Sequence, residues 1–242
     1  MRLSAAVFLL FGVTACAGPV LVPQPSPAPA PGRAAIPQPQ VDRISADEAI
    51  NNFVAVVKTV EPVAEKVCRE QGRVANCDFQ IAVDDRPGQP ANAFQTLGPD
   101  GRPYLVFTVA LIADARNRDE LAFVMGHEAA HHIAGHLSQQ RQNASQGAVL
   151  AGVLATITGA SDATVQSAQQ IGATVGARRY AKDLELEADR LGTIVAYRAG
   201  YDPLRGAAFF GRIPDPGDRF LGTHPANAQR YETVRQTVAG LR

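Results

Sequence analysis

The chain has 242 residues, 46% of them hydrophobic, and its 23 basic and 23 acidic side chains cancel to zero formal charge. This is enough apolar material for one globular domain with a real core. The charge balance gives no electrostatic case for nucleic acid, and 6% aromatics without tryptophan leave no base-stacking platform, so no nucleic-acid partner is expected.

The opening "MRLSAAVFLLFGVTAC" sets Arg2 before an apolar run from Ala5 to Val13, with small residues up to Cys16. This is a secretory signal layout, and the run is shorter than the roughly 20 residues a spanning helix needs. Val13-Thr14-Ala15-Cys16 resembles the bacterial lipobox, in which the cysteine becomes the lipidated first residue. The competing reading is an ordinary signal peptide cleaved near Ala17. The expected organisation is a signal peptide over 1–15, a lipidated N-terminus and tether over 16–40, and a folded domain over 41–242. Eight of residues 17–40 are proline, which suits an extended tether rather than a folded segment. Fully extended, it reaches roughly 70 Å. Ala17, not aspartate, follows Cys16, a layout that in lipoproteins goes with the outer membrane. The expected location is therefore the periplasm, with a lipid anchor in the membrane.

In the domain, "SADE" from Ser45 to Glu48 predicts a capped helix with apolar residues Ile50, Phe53, Val57 and Val60 at helical spacing. Pro62 is placed to kink or divide it before it ends near Glu70. Cys68 and Cys77, an even pair once Cys16 is set aside, read as a disulfide in an oxidising compartment, with two buried free thiols as the alternative. Closing that loop contributes roughly 2.5–3 kcal/mol in the chain-entropy model. From Asp78 to Ile112, the runs "DFQIAV", "ANAFQTLG" and "PYLVFTVAL" alternate with turn-rich "DDRPGQP" and "GPDGRP". These predict a small antiparallel sheet of three or more strands. Asn117 is the expected N-cap of a helix running through His136 to about Gln140. A second long helix is expected from Arg178 to Ala199, with Gly200 as its cap and Pro203 preventing continuation. Between them, 147–177 is nearly all small or apolar. It reads as close-packed helices, as a mobile lid, or as a surface that dips into a membrane.

Four of the five histidines fall between His127 and His136. His127 and His131 are one helical turn apart with Glu128 after the first, the HExxH pattern. Two imidazoles on one face can share a tetrahedral zinc ion, and the glutamate sits beside the open position where water binds. His132 and His136 have the same spacing but no glutamate after the first, and are read as structural or supporting residues. A third ligand is sought in "YAKDLELEADRLG". There Glu185 and Asp189 share a face and Glu187 points about 160° away from Glu185. Glu185 is the expected ligand and Asp189 the carboxylate that orients a ligand histidine; an ordinary charged helix face is the alternative.

"GHEAAHHIAGH" and "ELEADRLG" together resemble the HExxH…ExxxD zinc metallopeptidases, the family of the CAAX prenyl endopeptidases, HtpX and BepA. The compact periplasmic lipoprotein members are the most similar. "ANAFQTLGPDGRPYLVFTVALI" is similar to the strand region before the zinc helix in that family, and "THPANAQRYETV" to its C-terminal His-Pro segment. The resemblance implies an α+β, zincin-like metallopeptidase fold, mostly helical with a small antiparallel sheet before the zinc-binding helix. It implies one Zn(2+) per chain held by His127, His131 and Glu185, with Asp189 behind them and Glu128 as general base. His224 and Arg230 match family positions near the site, where the histidine stabilises the oxyanion or occupies the fourth zinc position at rest. Asn92 matches an asparagine on the strand along which substrate lies. Ala181-Lys182 stands where the family often has Ser-Arg.

The function expected from these features is zinc-dependent endopeptidase activity in the bacterial cell envelope, on misfolded or unassembled envelope proteins. Two rivals predict different metal behaviour. A chaperone-like lipoprotein would hold zinc in a latent or structural site, and a metal-storage protein would hold several weakly bound ions.

Overall fold

The computed structural model describes Ile36 and residues 43–179, 181–217 and 224–241. The signal segment, Cys16, the tether apart from Ile36, the expected domain start at Val41, and Tyr180 lie outside the described residues. The fold is α+β, mostly helical with one small sheet.

Helix α1 (Ala46–Gln71) starts where the capping box predicts, with the Ser45 hydroxyl accepting from the Glu48 N–H at 3.2 Å. It passes Pro62 without dividing. Val56, Val60, Ala64 and Val67 form one buried stripe across the proline, so a single core holds both halves. Gly72 ends the helix in the left-handed conformation. The Cys68 and Cys77 sulfurs are bonded, closing the turn that leads away from it.

The sheet has three strands: β1 (Gln80–Asp84), β2 (Ala93–Leu97) and β3 (Pro103–Thr108), in the order β1-β3-β2. It is mixed rather than antiparallel. β2 and β3 form an antiparallel pair, while β1 lies parallel to β3 on its other side. The most apolar run takes the centre, where Leu105 and Phe107 are fully buried, and the two more polar runs take the edges. Phe107 meets Phe53 edge-on at 5.2 Å, which seats the sheet on α1.

The apolar run does not continue as strand to Ile112. The Thr108 hydroxyl caps a short helix, α2 (Val109–Asp114), by accepting from the Leu111 N–H. Helix α3 (Arg118–Ile133) follows, capped by Asn117. It does not run on to Gln140: Gly135, at φ +72°, breaks the chain, and α4 (His136–Ile157) starts in a new direction. Periodicity alone does not reveal the break, because helical residues resume immediately. Helix α5 (Asp162–Arg179) packs mainly against α4. Helix α6 (Ala181–Arg198) packs against α3, and Gly200 closes it as expected. Then Asp202 caps α7 (Pro203–Ala207), a 3-10 turn follows over Ala208–Gly211, and α8 (Asn227–Leu241) packs on α6. Among the described residues no helix is long and apolar enough to cross a membrane.

Candidate metal centre

Helices α3 and α6 cross at backbone contact. A Cβ built on Gly192 would stand 2.7 Å from the His127 amide nitrogen, and one on Gly126 would stand 2.7 Å from the Gly192 carbonyl oxygen. Only glycine on both sides permits this approach. It sets Glu185, two turns before Gly192, opposite the faces that carry His127 and His131. Sequence reading passed over both glycines, whose significance appears only once the two helices are paired.

The three expected ligands are brought together. His127 Nε2 lies 3.1 Å from His131 Nε2 and 3.6 Å from Glu185 Oε2, and His131 Nε2 lies 3.3 Å from Glu185 Oε1. Ligands about 2.0–2.1 Å from a tetrahedral zinc stand roughly 3.3 Å from each other, so the donor set fits one such ion. Among the described residues this is the one cluster of three or more histidine, cysteine or carboxylate groups spaced to hold a metal.

Behind the ligands the far nitrogens are also engaged. His127 Nδ1 lies 3.0 Å from Asp189 Oδ1, where Asp189 is fully buried. Arg230, delivered by α8, grips that carboxylate with two hydrogen bonds, from Nε at 2.8 Å and from Nη2 at 2.6 Å. Its guanidinium also lies 4.3 Å above the Phe210 ring. Arg230 therefore supports the ligand shell through Asp189, and its Nη2 also lies 3.3 Å from both His127 ring nitrogens and 3.7 Å from Glu185 Oε2. His224 is half-exposed on the other side, with Nδ1 3.0 Å from Glu185 Oε2. His131 Nδ1 faces His136 Nδ1 at 2.9 Å. His132 belongs to the scaffold: its Nε2–H donates to the Asn76 carbonyl at 2.6 Å, and its ring meets Phe79 edge-on.

The electrostatics favour a cation at the convergence point. Burial and the Arg230 charge both favour a neutral His127, yet hydrogen bonds to Asp189 and Glu185 outweigh them and raise its pKa to about 9. Burial opposes ionisation of Glu185, but hydrogen bonds from His127, His131 and His224 hold it far below the usual carboxylate range. Asp189 is likewise buried, and the Arg230 charge beside it keeps it ionised. A pocket that binds a proton this tightly between carboxylates suits a metal cation that displaces the proton. In contrast, burial and His131 push His136 down to about 4 against the pull of Glu187.

The centre forms part of a cavity of about 640 Å³. Glu128 and Asn92 both line it, as do Phe94, Phe123, Phe210 and Ile213, which give it an apolar wall. Asn92 enters β2 with its N–H bonded to the Thr108 hydroxyl at 2.9 Å, and β2 is an edge strand with one side unpaired by the sheet. Arg212, which also lines the cavity, is pinned to buried Glu120 at 2.6 and 2.9 Å. This pair joins residues 92 positions apart and has no local sequence signal.

No curated protein matches the chain in a sequence comparison. The profile of peptidase family M48 matches residues 34–238, which is most of the chain and spans every residue of the centre. With a ligand set that fits a metal ion and a match of this extent, the chain belongs to peptidase family M48, and metallopeptidase activity follows from that membership.

Proposed function

We propose that this metallopeptidase is a zinc-dependent endopeptidase of the bacterial cell envelope, hydrolysing peptide bonds in misfolded or unassembled envelope proteins and held at the outer membrane by a lipid on Cys16. The observation that carries the zinc reading is the convergence of His127, His131 and Glu185 at tetrahedral spacing on an open cavity. The envelope reading rests on the signal layout, the cysteine at residue 16 and the proline-rich tether.

Zinc, when bound, polarises the scissile carbonyl and acidifies the attacking water. Glu128 takes the proton from that water as its oxygen adds to the carbonyl carbon. It then returns the proton to the amine nitrogen as the C–N bond breaks. His224 donates a hydrogen bond to the oxygen that gains negative charge. Asp189, fixed by Arg230, keeps His127 in the tautomer that presents Nε2. An extended substrate lies along the free edge of β2 beside Asn92, and the apolar wall receives a side chain next to the cleaved bond.

Purified wild type should hold one zinc per chain and cleave casein. Glu128→Gln should keep the ion and lose about 10²- to 10⁴-fold in kcat, the usual scale for a general base; a variant that cleaves like wild type overturns this mechanism. A chaperone-like protein with a silent zinc site would bind one ion and cleave nothing, with or without His224→Ala. Comparing envelope proteomes that contain active or Glu128→Gln protein would identify the substrates.

A further inference from the structure

The two metal-facing histidines are supported in different ways. His127 leans on a carboxylate, the common arrangement for a metal-bound imidazole. His131 leans on a second imidazole, His136, which is 1% exposed and comes from a different helix. Had α3 continued without a break, His136 would stand about 140° around the axis from His131. The left-handed Gly135 takes it off that spiral and brings the two rings together at 2.9 Å.

We propose that His136 is the positioning residue of His131, and that Glu187 and Arg73 hold it in the one tautomer able to do this. The inference rests on the metallopeptidase reading. A ligand histidine must be free of a proton at the nitrogen that faces the ion. His131 turns Nε2 to the convergence point, so its proton is on Nδ1. That N–H points at His136 Nδ1, which accepts only if His136 carries its own proton on Nε2. His136 Nε2 faces Glu187 Oε2 at 3.4 Å, and Glu187 Oε1 accepts from Arg73 at 2.5 Å. The line runs His131 to His136 to Glu187 to Arg73, with a donor and an acceptor matched at each step.

Helix α6 thus serves both sides of the centre. Glu185 faces the ion, and Glu187, on the opposite side of the same helix, holds the support of the second histidine. Arg73 comes from the turn closed by the Cys68–Cys77 bond. Each histidine ligand then has its far nitrogen fixed, one by Asp189 and Arg230, the other by His136, Glu187 and Arg73.

The test is zinc affinity, read by chelator competition and independent of proteolysis, with circular dichroism of each metal-free variant as a check on folding. Removing such a support weakens metal binding by about 10- to 100-fold, and His136→Leu should fall in that range. His136→Asn, whose side-chain oxygen stands near the position of Nδ1, should stay within about threefold of wild type, since it retains the acceptor. Glu187→Leu, at a partly exposed position, should weaken zinc severalfold and leave the fold intact. A folded His136→Leu protein that binds zinc like wild type overturns the proposal, as does an asparagine variant that loses as much as leucine. If His136→Leu fails to fold, unchanged affinity in Glu187→Leu overturns it. Wild type that takes up no zinc overturns the metallopeptidase reading and this inference with it, whereas tight wild-type binding beside equally tight His136→Leu binding overturns the inference alone.

Discussion

The pair α3/α6 and the pair α4/α5 use the same packing device for different ends. In both, helices touch backbone to backbone through glycine: Gly126 with Gly192 in the first, Gly147 with Gly172 in the second. Around the first contact, most side chains are buried and buried carboxylates are matched, Asp189 by Arg230 and Glu120 by Arg212. Around the second, α5 buries no residue at all, and Val149, Leu150, Val153, Leu154, Ile157 and Ile171 are more than half exposed. Close helix approach is therefore not what makes a site. A site needs the approach to bring opposed polar side chains into a space from which water is excluded.

On this contrast, damage to the first pair should spread and damage to the second should stay local. The largest effect is expected from Asp189→Ala. It leaves the buried Arg230 charge without its hydrogen-bonded carboxylate, with Glu185 3.7 Å away in its place, which costs about 3–5 kcal/mol, and it frees His127 to turn. Thermal unfolding and zinc titration should both register it, and a variant that melts like wild type would contradict the pairing described here. Gly192→Ala is expected to come next. The added methyl group must push α3 from α6, at a cost of about 1–3 kcal/mol for overpacking. The same displacement widens the gap between Glu185 and the two histidines, so zinc affinity should fall together with the melting temperature. Unchanged zinc affinity would show that the centre does not depend on that contact. Smallest is Leu150→Ser with Ile157→Ser. Both residues are exposed, so each change should lie within about 0.5 kcal/mol, with zinc affinity unchanged. A substantial loss would mean that the α4/α5 pair is coupled to the core after all.

How much of this was legible in the sequence depended on the distance over which each signal acts. The His127–His131 spacing and the Glu185–Asp189 spacing are one-turn relations on single helices, and the structure brings His127, His131 and Glu185 to one point with Asp189 behind His127. The caps at Ser45 and Asn117 were equally local. The parallel alignment of β1 was not, since a run of apolar residues carries no direction and the neighbour of β3 is settled by burial. Segment 147–177 leaves close-packed helices, a lid and a membrane-dipping surface all open in the sequence, because small residues suit a crowded interior and a close two-helix contact equally well; it folds as helices with much apolar surface exposed. The partner of His136 was hidden for the same kind of reason. Glu187 looked surplus because it points away from Glu185, and only the turn at Gly135 gives it something to hold.

The covalent ring at Cys68–Cys77 reaches further than its size suggests. Its residues touch the rear of the histidine cluster twice, through the Asn76 carbonyl on His132 and through Arg73 on Glu187. In an open chain those two residues would have to be immobilised one by one, at roughly 1–2 kcal/mol of backbone entropy each. The crosslink narrows their range in the unfolded chain, which lowers the entropy lost in placing them behind the histidines. Reducing this bond should therefore loosen the support of His132 and Glu187 as well as the turn itself.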